Sequence, residues 1–306
     1  MAAPAVPRAE PWALRQLVDL AAKSPPPTGR RARLPGRGEI YVRSQRGPRD
    51  APTVVLLHGW IASGGLNWFQ AFDALRGGYR VVAPDLRGHA RGIRSWRPFR
   101  LRDCADDVAA LLRKRRTRAI VVGYSMGGPV AQLLWRRHPE LVSGLVLAAT
   151  SGRPLRNQSI GLLMTGVMEG AALAGRVISL SGLFRRAVEL ADPDARDAQP
   201  ESLPVWARDE VARHDVRHLL EAGAELGRYN ATRWLREIDV PTSVLVTEGD
   251  RAIPPAHQLA LAKAIRGARV HKLSGGHLSF ADPRFGPALR TAVDSVAKRM
   301  AARASD

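Results

Sequence analysis

Ser125 lies in the run Gly123-Tyr124-Ser125-Met126-Gly127, after the apolar stretch Ala119-Ile120-Val121-Val122 and before a helix-like stretch, Pro129 to Arg137. A serine in G-x-S-x-G between a strand and a helix occupies a turn that strains its own backbone. The residues two before and two after it must be small for strand and helix to close, and both are glycine here. Such a turn presents the hydroxyl as a nucleophile. Serine is a weak nucleophile at neutral pH, so the chemistry needs a base to take its proton and an acid to orient that base.

Three further segments match those roles. His58-Gly59-Trp60 follows the strand-like run Thr53 to Leu57. With this motif, one oxyanion N–H comes from the residue after the nucleophile and the other from a loop after an earlier strand. Met126 and Trp60 are the expected donors, with Ile61 the alternative to Trp60. His58 itself reads as a brace of its loop. Asp250 follows the strand-like Ser243 to Val246 and is the expected acid, with Glu248 as runner-up. His277 ends Ser274-Gly275-Gly276-His277, after the strand-like Arg269 to Leu273, and only it has a double-glycine loop that lets a base swing over the nucleophile. Seven other histidines compete. His58 and His89 lie in loops, His138 ends the helix after Ser125, His257 starts a helix and His271 lies in a strand. His214 and His218, four apart in a polar helical stretch, read as an exposed face. No Glu or Cys cluster accompanies them, so no metal is expected.

The order Ser, Asp, His, with His277 27 residues after Asp250, is that of α/β-hydrolase triads and of neither chymotrypsin nor subtilisin. On these motifs, and on Asp85-Leu86-Arg87-Gly88-His89 after the strand-like Arg80 to Pro84, the chain resembles α/β-hydrolase-fold serine hydrolases of the esterase or lipase kind. The resemblance runs from about residue 36 to the C-terminus. It implies an α/β fold with a mostly parallel α/β-hydrolase sheet, helices on both faces and a helical cap inserted after the sixth strand. It also implies hydrolysis of a carboxylic ester, with a hydrophobic acyl group, through Ser125, His277 and Asp250 and an acyl-enzyme, without a cofactor. Acyltransferases, perhydrolases and C–C bond hydrolases share the triad and stay open. Dehalogenases and epoxide hydrolases need an acid where Ser125 stands. A basic-surface binding or scaffold protein would be expected to have lost a triad element.

The 306 residues suffice for one core plus an insertion. The expected division is an N-terminal arm and Pro-rich linker at 1–35, a hydrolase core at 36–151 and 237–306, and a helical cap at 152–236. Trp12 to Ala22 reads as a short amphipathic helix, an arm packed on the body or a peripheral membrane contact. In the cap, Leu162, Met164, Met168 and Phe184, together with Tyr124, are the expected apolar pocket. The stretch from Ile160 to Phe184 is long enough to span a bilayer, but Glu169 and Arg176 interrupt it.

The lone Cys104 rules out an intrachain disulfide, and Met1 to Glu10 do not read as a secretory signal; a cytoplasmic location is expected. The formal net charge is +19, carried by arginine more than lysine. Arg113 to Arg118 precede the strand before Ser125 and belong at the amino edge of the sheet. Arg87, Arg91, Arg94, Arg97, Arg100 and Arg102, interleaved with Trp96 and Phe99, belong at the carboxyl edge. They read as a solvated basic loop or as a dock for an anionic surface. No nucleic-acid motif accompanies them, so the expected partners are a small-molecule or lipid ester and an anionic membrane surface.

Overall fold

The computed structural model describes residues 25–154, 209–210 and 212–305, with isolated positions at 166, 168 and 170. Eight strands form one sheet: β1 (Arg30–Leu34), β2 (Gly38–Gln45), β3 (Thr53–Leu57), β4 (Arg80–Pro84), β5 (Ala119–Tyr124), β6 (Val142–Ala148), β7 (Thr242–Thr247) and β8 (Arg269–Leu273). Their order is β1-β2-β4-β3-β5-β6-β7-β8. The pairs β1–β2 and β2–β4 are antiparallel, and every later pair is parallel. The expected mostly parallel sheet is therefore present, extended by an antiparallel hairpin at one edge. Arg30 to Leu34, assigned to the arm from sequence, belong to that hairpin. Five residues, three of them arginine, give little apolar signal, and pairing with β2 is what makes them a strand.

Strands β3, β5 and β7 are buried at every position. Parallel strands covered on both faces read as continuous apolar runs, which is why the sequence exposes them. Successive side chains go to opposite faces. Val55, Leu57 and Val121 pack into one core with helices α2 (Leu101–Lys114) and α3 (Gly127–Arg137). Val54, Leu56, Ile120 and Val122 pack into the other, with α1 (Phe69–Leu75) and α6 (Phe285–Ser305). Phe285, Leu289, Val293 and Val296 make the buried stripe of α6, at helical spacing. Helix α4 (Val216–Arg228) lies in the interval between β6 and β7, and α5 (Pro255–Ala264) between β7 and β8.

His214 and His218 correct the sequence reading: both are buried. The His214 ring lies 5.4 Å from that of His89, which lies 5.4 Å from that of His58, and Phe99 bridges His89 to His218. His214 Nδ1 accepts from Ala90 N at 2.7 Å, so the end of this interval is tied to the loop after β4. The polar face packs on a polar loop instead of meeting water. Residues 1–24 and most of 155–208, with the spanning stretch, lie outside the described residues. Among those described, no helix is long and apolar enough to cross a membrane.

Burial lowers the pKa of all four clustered histidines, His58 to about 3 and His214 to about 4. His58 and His214 therefore stay neutral in the fold at a pH where an unfolded histidine, with a pKa of about 6.5, takes a proton. The unfolded chain then binds more protons, so stability falls as pH drops through that window. Asp85, raised to about 6 by burial and by Glu210, acts in the opposite sense and offsets part of this loss. Denaturant unfolding should show a stability at pH 5 lower by at least about 2 kcal/mol than at pH 7; a flat or rising profile would refute this account.

Candidate active site

Ser125 sits immediately after β5 with φ at 50°, in the left-handed region that a residue with a side chain rarely occupies. Local hydrogen bonds hold it there. Its N–H donates to Ala148 O at 3.0 Å, and its carbonyl accepts from Gly128 N and from Thr150 Oγ1. Closure leaves no room for side chains on either flank. A Cβ on Gly123 would lie 2.3 Å from the Gly127 carbonyl oxygen, and one on Gly127 would lie 2.0 Å from that of Leu57.

Ser125 Oγ lies 2.9 Å from His277 Nε2, and His277 Nδ1 lies 2.8 Å from Asp250 Oδ2. The three residues follow β5, β8 and β7, so one sheet edge carries them all. Asp250 is buried, and its Oδ1 accepts from the N–H groups of Ala252 and Ile253 at 2.9 and 2.8 Å. Burial works against its ionisation, but the hydrogen bond from His277, those from Ile253 and Thr247, and attraction to His277 outweigh it, and its pKa lies below the usual carboxylate value. A carboxylate facing Nδ1 makes that nitrogen the donor, which leaves Nε2 to accept the serine proton. The runner-up acid, Glu248, is exposed and pairs with Lys272 at 3.2 Å.

The loop after β3 runs beside the serine. Gly59 N donates to Asn67 Oδ1, while His58 Nε2 accepts from Leu86 N at 2.9 Å and its Nδ1 donates to Gly59 O at 2.8 Å. His58 can do both only as a neutral ring, and its deep burial keeps it so. It is a brace, as read from sequence. Ile61 takes φ at 56°, a rare state for a β-branched residue. Met126 is the N-cap of α3, so its N–H is near the helix terminus, whose first N–H groups lack intrahelical partners. Trp60 is anchored by its indole N–H, which donates to Leu219 O of α4.

Tyr124, expected in the apolar pocket, is a buried residue with a structural contact. It is buried among Trp68, Phe280 and Phe285, and its hydroxyl donates to His277 O at 2.7 Å, bracing the base's loop from below. Met168 lies against Gly223 of α4, beside the Trp60 ring. Leu162, Met164 and Phe184 lie outside the described residues. Among the described histidines only His277 bonds Ser125; His138 pairs with Asp106, and His271 lies 3.2 Å from Ser243 Oγ. Two residues that sequence reasoning missed, Thr247 and Gln258, also bring polar groups to Asp250. Neither belongs to a motif.

The basic loop is only partly available to solvent. Arg87 makes two hydrogen bonds to Asp107, Arg91 bonds Glu210 at 2.7 Å, and Phe99 is buried. These residues tie the loop inward, contrary to the docking reading of the whole segment. Arg94, Arg97, Arg100, Arg102 and Trp96 remain exposed.

The chain is 27% identical over 223 residues to a bifunctional esterase/perhydrolase of Acinetobacter calcoaceticus, covering 68% of this chain and 78% of that protein. It is 28% identical over 248 residues to a pimeloyl-[acyl-carrier protein] methyl ester esterase of Neisseria meningitidis serogroup C, covering 75% and 89%. The crystal structure of the enol-lactonase from Burkholderia xenovorans LB400 superimposes with a TM-score of 0.67 at 25% identity, covering 88% of this chain and all of that one. A family model for the alpha/beta hydrolase fold matches residues 52–283, and the chain belongs to that family.

Proposed function

We propose that this protein is a serine carboxylic-ester hydrolase. The observation that carries the reading is the continuous chain of hydrogen bonds from Ser125 Oγ through His277 to Asp250. Ser125 Oγ attacks the acyl carbonyl carbon while His277 Nε2 takes its proton. The backbone N–H groups of Met126 and Trp60 receive the developing oxyanion, each worth on the order of 3 kcal/mol. Collapse breaks the ester C–O bond, and His277 returns its proton to the leaving alcohol. Water, deprotonated by His277, then attacks the acyl-enzyme and releases the carboxylic acid and Ser125. Asp250 fixes the imidazole tautomer and offsets the charge of the imidazolium. No step calls for a cofactor. The interval between β6 and β7 acts as a cap, with Met168 beside Trp60 as part of an apolar acyl wall. The perhydrolase activity in the name of the Acinetobacter relative supports a second reading, in which hydrogen peroxide replaces water at deacylation.

Ser125→Ala should abolish fluorophosphonate labelling and turnover of p-nitrophenyl esters while leaving the unfolding transition in place. Labelling that persists on another serine would overturn the assignment. Adding peroxide to the wild-type assay and measuring peracid separates the two readings.

Asp250→Asn should cost roughly four orders of magnitude in turnover, because an amide favours the wrong imidazole tautomer. Glu248→Gln, which removes only an exposed ion pair, should change turnover little. Reversed losses would reassign the acid.

A further inference from the structure

Asp250 Oδ2 accepts more than the His277 proton. Thr247 Oγ1, at the end of β7, lies 2.8 Å from it, and Gln258 Nε2 of α5 lies 2.9 Å from Thr247 Oγ1. All three residues are buried. The direction of each bond follows from atom types. The Thr247 backbone N–H lies 3.1 Å from Gln258 Oε1, which must be the acceptor, and this fixes the amide. Its nitrogen therefore faces Thr247 Oγ1 and the Ile253 carbonyl, the latter at 2.7 Å. An amide NH2 donates and does not accept, so Gln258 gives a proton to Thr247 Oγ1. The threonine hydrogen is then left to point at Asp250 Oδ2.

We infer that Thr247 and Gln258 are positioning residues that aim the Asp250 carboxylate at His277 through a one-way chain of donors. The inference rests on the reading of Ser125, His277 and Asp250 as the triad. Oδ1 is already held by the Ala252 and Ile253 N–H groups. The chain holds the other oxygen, so the carboxylate cannot turn away from His277. Gln258 links three parts of the edge, since its bonds reach the end of β7, the Asp250 turn and the Ile253 carbonyl before α5. A residue that merely filled space would not need a fixed amide orientation.

Thr247→Val keeps the shape of the side chain and removes its hydroxyl; Thr247→Ser keeps the hydroxyl. A hydrogen bond to a charged group sets the expected scale: kcat of Thr247→Val should fall about 10- to 100-fold. KM should stay within about twofold, as for an interaction needed only to reach the transition state. Thr247→Ser should restore kcat to within about threefold of wild type. The far-downfield proton NMR resonance of the His277 Nδ1–H should shift in Thr247→Val and in Gln258→Met and return in Thr247→Ser, a readout independent of any substrate. A merely structural role would lower the unfolding midpoint and leave the resonance and kcat in place. Wild-type kcat and an unmoved resonance in folded Thr247→Val would overturn the inference. Turnover surviving Ser125→Ala would instead overturn the hydrolase reading, and the resonance would still test the donor chain.

Discussion

A serine held at φ of 50° is the constraint on which the rest of the structure depends. Such a conformation costs of order 1–3 kcal/mol and persists only where its surroundings over-determine it. Here β5 and α3 close on the turn, their glycines admit the close approach, and Thr150 and Ala148 of the neighbouring strand edge bind its backbone. The same strain recurs along the edge. Ile61, Ala90 and Ala149, which follow β3, β4 and β6, also take positive φ. A rigid, doubly covered parallel sheet supports these loops from beneath, and its burial energy holds conformations that the loops alone would abandon.

Histidine takes two opposite roles at this edge because its surroundings differ. His58 is sealed from water and kept neutral, which lets it donate from one nitrogen, accept at the other and fix the Gly59 loop beside Ser125. His277 is about a quarter exposed and faces a buried carboxylate that holds its charge. Five donors surround Asp250, from His277, Thr247, Gln258 and two backbone N–H groups.

Several of the described arginines are bound within the protein. Arg87 and Arg91 spend their charge on Asp107 and Glu210 within the protein, and Arg217 of α4 donates to the carbonyls of Ser95 and Trp96. Buried ion pairs of this kind contribute little net stability but specify one arrangement, since breaking either partner strands a charge. Arg87 binds the loop after β4 to α2, and Arg91 and Arg217 bind it to the segment between β6 and β7. That segment in turn receives the Trp60 indole N–H, so the candidate oxyanion loop, the basic loop and α4 form one connected unit.

The parallel strands and the edge residues Ser125, Asp250 and His277 were legible in the sequence, because continuous apolar runs and glycine-flanked turns are local signals. Each depends on a few adjacent residues. The order of the residues along the chain also placed them on one sheet edge, since parallel strands all end on the same side. What only the tertiary structure decided were matters of facing and partnership. Arg30 to Leu34 became a strand because β2 pairs with it. His214 and His218 became buried because the loop after β4 covers them, and Tyr124 became a brace because its hydroxyl meets the His277 carbonyl. Thr247 and Gln258 reach Asp250 from a strand end and a helix, through single side-chain contacts that leave no period or motif in the sequence. Local patterns specify elements; long-range pairing of polar groups is settled only when the elements meet.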